Sequence, residues 1–470
     1  MTQVRTRIAP SPTGDDIHIG NLYTALINFA FAKKHKGKFI IRIEDTDRQR
    51  IREGAQEKIL SSLKSFGILY DEGPDIGGPF APYRQSDRLP LYKKYALELV
   101  EKGAAYYCFC TKERLEALRE EQMAMKKTPR YDKHCLHEVK AAKERIAKNE
   151  AYVIRLNVLP DKKMSFQDVI RGEISFDSNE VDDQVLLKSD GYPTYHLGVV
   201  VDDHLMEISH IIRAEEWISS TPKHVLLYES FGWELPVFAH LPILRNPDRS
   251  KLSKRKNPVW ASWYLEQGFL PEAVLNYLSL MGWSHPEQKE IFPISEFIKR
   301  FDLKDVHPAG PIFDIQKLEW MNGVYIRDVL TTEQLIERLR QFYRNDEEVH
   351  ALLNDTNSKK LFSLLDLAKS RIKTLREFKD LVASPQKEEH FESEQVASAK
   401  ALTVLLSGIG SGMWNEDVIL KHLKTFSKER GVSMRIAYIL LTGKPQGLPL
   451  PQFMVYLGKD ASLKRLERYV

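Results

Sequence analysis

Cysteine is scarce in this sequence, and long apolar runs are absent. The 470 residues contain three cysteines, all between positions 108 and 135. This grouping argues against a disulfide framework and favours a local metal or redox site. No stretch reaches roughly 18 uninterrupted apolar residues, the length that a membrane-spanning helix needs, and the first residues include Arg5 and Arg7 where a secretory signal would be apolar. We therefore expect a cytoplasmic protein with no membrane partner.

A strong excess of charge of either sign is also lacking. The 69 Lys and Arg residues nearly balance the 65 Asp and Glu residues, and the formal net charge at pH 7 is +4. Such a balance permits nucleic-acid binding but does not require it. With 43% hydrophobic and 29% charged residues, the composition is that of an ordinary globular protein. A chain of this length predicts about two to four domains.

The sequence pattern changes near residue 330. Before it, short β-branched runs such as 39–43 and 185–187 alternate with helical stretches, which is typical of α/β units with a buried parallel sheet. After it the pattern is almost wholly helical, and Thr331 with Gln334 forms a capping-box motif. One apolar stripe at helical spacing comprises Leu361, Leu365, Ala368, Ile372 and Leu375. The sequence thus predicts an α/β half followed by one or two helical domains.

The first informative motif, His18-Ile19-Gly20-Asn21, follows the segment 7–14 (RIAPSPTG). Apolar residues at helical spacing come directly after it: Leu22, Ala25, Leu26, Phe29 and Ala30. A helix is therefore predicted from about Asn21. His18 and Gly20 would lie at its N-terminus, where N–H groups and the helix dipole favour phosphate, and a glycine lets a nucleotide approach the backbone. An ordinary turn before a helix is the alternative.

A second motif, Lys251-Leu252-Ser253-Lys254-Arg255, lies far downstream, after the apolar run 241–244. A loop so rich in cations suits a clamp on a polyphosphate whose charge grows in the transition state. Taken alone, such a loop is more often simply solvated. Together, the two motifs resemble HIGH and KMSKS, the signatures of class I aminoacyl-tRNA synthetases.

The prelude APSPTG at 9–14 makes this resemblance specific to bacterial-type glutamyl-tRNA synthetases, and it extends over essentially the whole chain, including 43–47, 189–196 and 212–217. It implies an α/β Rossmann-type catalytic domain with an inserted α+β acceptor-binding domain, followed by all-α C-terminal anticodon-binding domains. The implied ranges are 1–88 for the first half of the catalytic domain, 89–195 for the acceptor-stem-binding insertion with a zinc site, 196–330 for the second half with the stem-contact region, and 331–380 and 381–470 for the two anticodon-binding domains.

The same resemblance implies the reaction. A glutamate–tRNA ligase uses ATP with Mg²⁺ to form glutamyl-adenylate, and then transfers glutamate to the 3′-terminal adenosine of tRNA(Glu). Positioning and stabilisation of phosphate charge carry such a reaction, so the implied catalytic residues are His18, Gly20 and Lys254. The implied ATP-binding residues are His18, Gly20, Glu216, Trp217, Leu244, Lys251, Lys254 and Arg255. For Trp217, ordinary core packing is the alternative.

The charges of glutamate decide what its pocket must contain. Two carboxylates and one ammonium require arginine forks, a carboxylate and a few neutral donors. The residues that the resemblance implies are Arg7, Ala9, Ser11, Glu44, Tyr195 and Arg213. Glu44 would hold the ammonium, and the two arginines with Tyr195 would hold the carboxylates, in either order. A salt bridge between Arg7 and Glu44 on neighbouring strands is the structural alternative.

The three cysteines form one C-x-C pair, Cys108 and Cys110, and one C-x-H pair, Cys135 and His137. Three thiolates and one imidazole complete a tetrahedral zinc shell. In zinc-containing members of the resembled family, the matching pattern lies in the acceptor-stem insertion. One structural Zn²⁺ per chain is therefore expected on Cys108, Cys110, Cys135 and His137. Free thiols are the alternative.

Helices beyond residue 330 carry several cations that a tRNA surface would use, although such a run is usually a solvated face. These cations are Lys359, Lys360, Lys369, Arg371, Lys373 and Arg376. By resemblance, an arginine at 371 goes with enzymes that charge tRNA(Glu) and reject tRNA(Gln). An ordinary surface arginine, a relaxed enzyme that also charges tRNA(Gln) and a catalytically silent tRNA-binding paralogue are the alternatives. The expected partners of the chain, as a monomer, are ATP, L-glutamate and tRNA(Glu).

Overall fold

The computed structural model of the chain describes residues 3–137, 139–252, 258–354, 358–383 and 392–469. It divides into two compact units: Met1–Trp263 with Leu275–Asp314, and Tyr264–Val274 with Ile315–Val470. The strands are β1 Arg5–Ile8, β2 Lys38–Ile41, β3 Ala105–Cys108, β4 Val153–Leu156, β5 Lys163–Asp168, β6 Gly172–Asp177, β7 Val185–Leu187, β8 His210–Ala214 and β9 Val237–Leu241.

The α-helices occupy both units and dominate the second. They are α1 Ile19–Lys34, α2 Ala55–Ser65, α3 Leu89–Glu101, α4 Lys112–Ala124, α5 Val139–Ala147, α6 Tyr195–Leu205, α7 Thr221–Phe231, α8 Ala261–Glu266, α9 Pro271–Ser279, α10 Ile294–Arg300, α11 Ile315–Val324, α12 Thr332–Phe342, α13 Glu347–Leu353, α14 Ser358–Lys369, α15 Glu377–Val382, α16 Ser393–Ser407, α17 Glu416–Arg430, α18 Met434–Thr442, α19 Leu450–Leu457 and α20 Lys459–Leu466. Within the described ranges, no helix is long and apolar enough to span a membrane.

The strands of the first unit form three sheets. Strands β1 and β2 pair in parallel. A four-stranded sheet has the order β6-β5-β9-β8, in which β9 is parallel to β5 and β8, and β6 is antiparallel to β5. The third sheet, β3-β4-β7, is antiparallel throughout. The predicted parallel α/β character is therefore confirmed for the strands that carry Arg7, Arg213 and the residues beside them.

The run 185–187 is a strand, but it does not join a parallel sheet as predicted. It pairs antiparallel with β4, where Leu187 lies opposite Ile154. The prediction was wrong because a short apolar run indicates a buried strand without indicating the direction of its neighbour. The helices α3 to α5 and this antiparallel sheet lie within 89–195, so that stretch has the predicted α+β composition.

Helix α1 begins at Ile19, slightly before the predicted Asn21. Its apolar face is fully enclosed, since Leu22, Leu26 and Ala30 each have 0% of their surface exposed. Burial of a continuous apolar stripe on one face is what stabilises such a helix against the sheet strands beside it. The sequence signal for this helix is therefore confirmed.

The second unit is helical, as predicted. The capping box is formed: the Thr331 hydroxyl accepts from the Gln334 N–H at 3.2 Å, and the Gln334 side chain accepts from the Thr331 N–H at 2.9 Å. All five residues of the stripe from Leu361 to Leu375 are buried. The helix itself, however, ends at Lys369, so the last two members of the stripe lie outside it.

Tertiary hydrogen bonds explain this early helix end. The Lys373 carbonyl accepts from the Asn322 amide at 2.5 Å, and the Leu375 N–H donates to the Gly268 carbonyl at 2.9 Å. Gly268 has φ +83°, and a Cβ there would lie 2.6 Å from the Arg376 nitrogen, so only glycine allows this approach. The backbone after α14 bonds to other segments of the second unit, and its apolar side chains are buried without continuing the helix.

Candidate active site

The start of α1 brings His18 and Gly20 together. His18 is the N-cap residue, and its Nδ1 accepts a hydrogen bond from the Gly20 N–H at 3.0 Å. A Cβ at Gly20 would lie 3.2 Å from that nitrogen, which is a tight contact that glycine avoids. The first turn of α1 therefore presents an imidazole and bare backbone at the positive end of the helix dipole.

A cavity of about 270 Å³ lies beside this helix start. The residues expected to bind ATP that line it are His18, Gly20, Glu216, Leu244 and Lys251. Lys251 forms an ion pair with Glu216 on the cavity rim, where both side chains are largely exposed. Lys254 and Arg255 lie outside the described residues. The cavity thus combines a helix N-terminus, an apolar wall and an exposed cation.

The chain on both sides of residues 253–257 is attached to this region. Before them, the Leu252 N–H donates to the Leu244 carbonyl at 3.3 Å. After them, the Val259 carbonyl accepts from the Ile19 N–H at 2.7 Å. The described residues that flank 253–257 therefore lie near the cavity that His18 lines.

A second cavity, of about 500 Å³, adjoins the first. Its lining includes all six residues expected to bind glutamate: Arg7, Ala9, Ser11, Glu44, Tyr195 and Arg213. The two cavities share Asn21, Thr24, Ala214 and Glu216. The fold thus brings together, in one space next to the start of α1, residues from β1, from the segment after β2, from the first turn of α6 and from β8.

One wall of the second cavity is built on ion pairs around Asp203. Arg7 donates from Nε and Nη2 to the two carboxylate oxygens of Asp203, at 3.1 and 2.9 Å. Arg42 donates to the same carboxylate at 2.7 Å and to Glu44 at 3.1 Å. Burial raises the pKa of Asp203, but the two arginines more than offset this effect and its pKa lies below the usual value. The alternative of an Arg7–Glu44 pair was wrong, because each has a different partner.

A second buried aspartate supports the same wall. Asp202 accepts from Arg88 at 2.7 Å, from Tyr92 at 2.8 Å and from Gln85 at 2.9 Å. The sequence contains a signal for both aspartates that was not used: they directly follow the apolar run 197–201 within α6. Acidic residues that continue a buried helical face require buried cationic or hydrogen-bonding partners.

Glu44 is one of three acidic residues that line the second cavity, with Asp47 and Glu216. Its side chain is 12% exposed, and burial raises its pKa even though Arg42 acts in the opposite direction. A cation beside Glu44 would restore the preference of this carboxyl group for its ionised form. The position suits an ammonium group.

A second wall is built around Arg213, which is 5% exposed. Its Nε donates to His240 Nε2 at 3.1 Å and its Nη2 to the Thr221 hydroxyl at 2.8 Å. Its Nη1 lies 3.1 Å from the Tyr195 hydroxyl and 3.2 Å from His224 Nδ1. Across the described parts of the chain, no carboxylate oxygen lies within ion-pair distance of Arg213. Burial lowers its pKa, and an anion in the cavity would be its missing partner.

His224 and His240 are functional candidates that the sequence analysis missed. They stand at separate positions on α7 and β9, and an isolated histidine in an apolar segment gives no sequence signal. The β8–β9 register does place His240 directly opposite Arg213, so pairing of the two strands was the signal that would have found it.

Trp217 lines the second cavity and is 36% exposed. Its ring lies 4.4 Å from the ring of Tyr195, centroid to centroid. The alternative of ordinary core packing was therefore wrong. The exposed indole is available to a ligand in the second cavity.

The three cysteines meet in the insertion. Their Sγ atoms all lie within 4.8 Å of one another, and Cys110 and Cys135 are 3.6 Å apart. The hydroxyl of Tyr131 lies 3.3 Å from Cys108 Sγ and 3.2 Å from Cys110 Sγ. His137 is exposed and lies outside this group, which among the described residues contains only the cysteines as possible His, Cys or carboxylate ligands.

Arg371 lies in the turn after α14, in the second unit, and its side chain is exposed. Its Nη1 donates to the Gly447 carbonyl at 3.2 Å. The expected role of Arg371 at an anticodon base stays a prediction.

Comparison with known proteins identifies the class of protein to which this chain belongs. Residues 3–320 match the family model described as tRNA synthetases class I (E and Q), catalytic domain, and residues 334–470 match an anticodon binding domain. The chain is 46% identical over 482 residues to a glutamate–tRNA ligase of Thermus thermophilus, covering 99% of each protein. It is 44% identical over 485 residues to that of Cellvibrio japonicus, covering 100% of this chain and 94% of the relative.

A solved structure also resembles this chain over nearly its whole length. The crystal structure of a glutamate tRNA ligase from Elizabethkingia meningosepticum, in complex with its amino acid, superposes with a TM-score of 0.82 at 33% identity, covering 99% of each chain. The chain belongs to the bacterial glutamate–tRNA ligase family of class I aminoacyl-tRNA synthetases.

Proposed function

We propose that this protein is a glutamate–tRNA ligase that activates L-glutamate with ATP and Mg²⁺ and transfers it to the 3′-terminal adenosine of tRNA(Glu). The observation that carries the proposal is the second cavity, where all six expected glutamate-binding residues meet beside the helix start that carries His18. Two adjoining cavities suit an amino acid and a nucleotide that react with each other.

The charges of the second cavity support glutamate as its ligand. Arg213 is buried and has no carboxylate partner among the described residues, and Glu44 is a carboxyl group suited to an ammonium. Arg7 and Tyr195 complete the polar lining. We assign the side-chain carboxylate to Arg213, because Arg7 already has Asp203 as its partner. Glutamine would then leave the Arg213 guanidinium without its anion, and a buried unpaired charge is costly. The pocket therefore favours glutamate over glutamine.

For the nucleotide, we propose the first cavity as the ATP site. His18, at the start of α1, would bind phosphate oxygens, and Leu244 would contact the adenosine, with Trp217 beside it in the adjoining cavity. Lys254, with support from Lys251 and Arg255, would stabilise the charge that develops on the phosphates. Lys254→Ala is then expected to lower kcat for adenylate formation by roughly 100-fold or more, with a smaller effect on glutamate binding.

Pyrophosphate exchange is the direct test of the proposed reaction. Exchange should depend on glutamate and should not be supported by glutamine, and it should be measured with and without tRNA(Glu). A chain that binds tRNA(Glu) but shows no glutamate-dependent exchange under either condition would be the silent paralogue instead.

We further propose that the cysteine cluster holds one structural Zn²⁺. Three sulfur atoms within 4.8 Å of one another form the donor set that zinc prefers, and a closed fourth position would leave no place for a reactive water. Two side chains compete for that position: His137, implied by the sequence motif, and Tyr131, whose oxygen lies beside two of the sulfurs. The contacts favour Tyr131.

Metal analysis tests this site without reference to catalysis. The purified protein should contain about one zinc per chain, and Cys110→Ser should lose it. Comparison of Tyr131→Phe with His137→Ala, by zinc release to a chelator, then identifies the fourth ligand. Faster release from Tyr131→Phe alone supports Tyr131, and faster release from His137→Ala alone supports the motif.

For tRNA, we propose the division expected from the sequence: acceptor-stem binding by 89–195, stem contacts within 196–330 and anticodon binding by 331–380 and 381–470. Arg371 would favour tRNA(Glu) over tRNA(Gln). Aminoacylation of both tRNAs at one salt concentration tests this, since contacts with phosphates alone would affect both alike. Efficient charging of tRNA(Gln), or an unchanged preference in Arg371→Gln, would contradict the assignment. We also propose that the enzyme acts as a monomer in the cytoplasm.

A further inference from the structure

The acceptors around Arg213 differ from those of three other buried arginines in the first unit. Arg7, Arg42 and Arg88 each donate to an aspartate, whereas Arg213 donates to imidazole nitrogens and hydroxyl groups. His224 and His240, at 1% and 0% exposed, lie behind the cavity wall and do not line the cavity itself. They therefore contact Arg213 without facing the cavity.

Hydrogen-bond chemistry fixes the state of His240. Its Nδ1 lies 2.6 Å from Asp168 Oδ2, and a carboxylate only accepts, so Nδ1 carries the proton. Nε2 of the neutral ring is then an acceptor, which matches the Arg213 N–H at 3.1 Å. Asp168 is held in turn, because its other oxygen accepts from two backbone N–H groups at 3.0 Å. Both hydrogen bonds of this series therefore have a fixed donor: His240 donates to Asp168, and Arg213 donates to His240.

The same argument applies to His224. Arg213 only donates, so His224 Nδ1, at 3.2 Å, must accept. Its Nε2 then carries the proton and points to His196 Nδ1, also at 3.2 Å. Burial lowers the pKa of both His224 and His240, which agrees with neutral rings. Protonation of either ring would place an N–H group against the donors of Arg213.

We propose that His224 and His240 are positioning residues that make the pocket selective for an anionic side chain, because they hold Arg213 through neutral acceptors and leave it without a direct carboxylate partner. A carboxylate in either place would orient the guanidinium equally well but would neutralise it. Asp203 acts on Arg213 from beyond ion-pair distance, so Arg213 gains a direct carboxylate partner when the ligand supplies one. This inference rests on the proposed function, in which that ligand is glutamate.

A matched pair of variants separates charge from shape. In His224→Asn, the amide oxygen takes the position of Nδ1 and remains a neutral acceptor. In His224→Asp, an oxygen occupies the same position but carries a negative charge. Both variants lose the contact with His196 equally, so they differ at Arg213 in charge alone.

The experiment measures KM for glutamate and for ATP by pyrophosphate exchange in the presence of tRNA(Glu). We expect His224→Asn to stay within about threefold of the wild type for both substrates. We expect His224→Asp to raise KM for glutamate roughly 10- to 100-fold over His224→Asn, the range for a charged hydrogen-bond partner, with KM for ATP changed less than about threefold. Such a split is a result that a merely structural role would not give.

Equal KM values for glutamate in the Asn and Asp variants would overturn the inference. If the two variants do not fold, the pair His240→Gln and His240→Glu makes the same comparison at the Nε2 position, with the same two outcomes. Failure of the proposed function itself would be seen separately, since the wild-type protein would then show no glutamate-dependent exchange at all.

Discussion

The arginines in the two walls of the glutamate cavity have different kinds of hydrogen-bond partner. On one wall, the Arg7 guanidinium forms a two-point ion pair with Asp203. On the other wall, Arg213 is equally buried but donates to histidine and hydroxyl groups. Arg7 is therefore balanced before any ligand arrives, and Arg213 is not. The partner of a buried arginine, and not its burial, decides whether its charge serves the fold or the ligand.

This difference has an energetic side. A buried ion pair with good geometry compensates the loss of hydration of both groups, whereas neutral acceptors satisfy the N–H groups but only part of the charge. The Arg213 wall is thus the less favourable one in the empty pocket. The ligand carboxylate supplies the counter-charge for Arg213, so the protein's own contacts already favour an anionic ligand.

The comparison predicts its largest effect for Arg213→Ala. Because the ligand anion would lose its cationic partner in a buried site, KM for glutamate should rise roughly 100-fold or more, while KM for ATP should change little. Kinetics of pyrophosphate exchange provide both constants. Arg50→Ala is the matched control: Arg50 lines the same cavity, but its side chain is 72% exposed, and a less than about fivefold change is expected. Similar effects of Arg213→Ala on both substrates would contradict the assigned role.

On the other wall, Asp203→Asn should act on the fold first. It removes the negative charge shared by Arg7 and Arg42, and the loss of one partner in a buried pair is expected to lower the free energy of unfolding by about 3 kcal/mol. Denaturant unfolding measures this change. As a control, Asp190→Asn changes a carboxylate that is 54% exposed and 3.9 Å from Lys188, so less than about 0.5 kcal/mol is expected. A stable Asp203→Asn variant would mean that Asp203 is not needed to balance the wall.

Acid should weaken the two walls in a fixed order. Burial lowers the pKa of His224 and His240, so the unfolded chain gains protons on them as the pH falls below about 6.5 and the folded chain does not. Their contribution to stability is present above that pH and is lost below it. The lowered pKa of Asp203 keeps its contribution until the pH approaches its ordinary value of about 3.8.

Between pH 6.5 and 5, stability should therefore fall by up to about 1.4 kcal/mol per pH unit for each such histidine. Unfolding measured across this range, for the wild type and for His224→Asn, tests the order of loss. The variant should show a shallower slope. An identical slope in both proteins would show that His224 does not titrate in the way that its burial implies.

Tyr195→Phe should give the smallest effect. The phenol oxygen is one of the acceptors of Arg213, at 3.1 Å, but the same nitrogen also contacts His224. Because one acceptor remains, KM for glutamate should rise about three- to tenfold. The tilted ring of Trp217, whose centroid lies 4.4 Å away, should keep the phenyl group in place. A change as large as that of Arg213→Ala would mean that Tyr195 binds the ligand on its own.

Much of this site followed from sequence because its residues stand in recognisable motifs. The helix that begins near His18 was predicted from its apolar spacing, and the meeting of Arg7, Glu44 and Arg213 in one cavity followed from family resemblance. The supporting residues could not be found in the same way. Asp168, His224 and His240 are far apart in the sequence, and only the pairing of β8 with β9 and the packing of α7 bring them to Arg213.

The helix end at Lys369 illustrates a second limit. Spacing correctly predicted that Ile372 and Leu375 are buried, because burial depends on the side chain. It did not predict that their backbone leaves the helix, because that depends on hydrogen bonds to distant groups such as the Gly268 carbonyl. Periodicity reports which residues enter a core more reliably than which backbone bonds they make.

The shared lining of the two cavities has a consequence for ligand design. Since Asn21, Thr24, Ala214 and Glu216 border both spaces, one molecule with a dicarboxylate at one end and a purine nucleoside at the other could occupy them together. Once one end is bound, the other is held at a high effective concentration, so the joined molecule can bind far more tightly than either half. A short, rigid linker that spans the common border would give the greatest gain, and its best length would measure the distance between the two subsites.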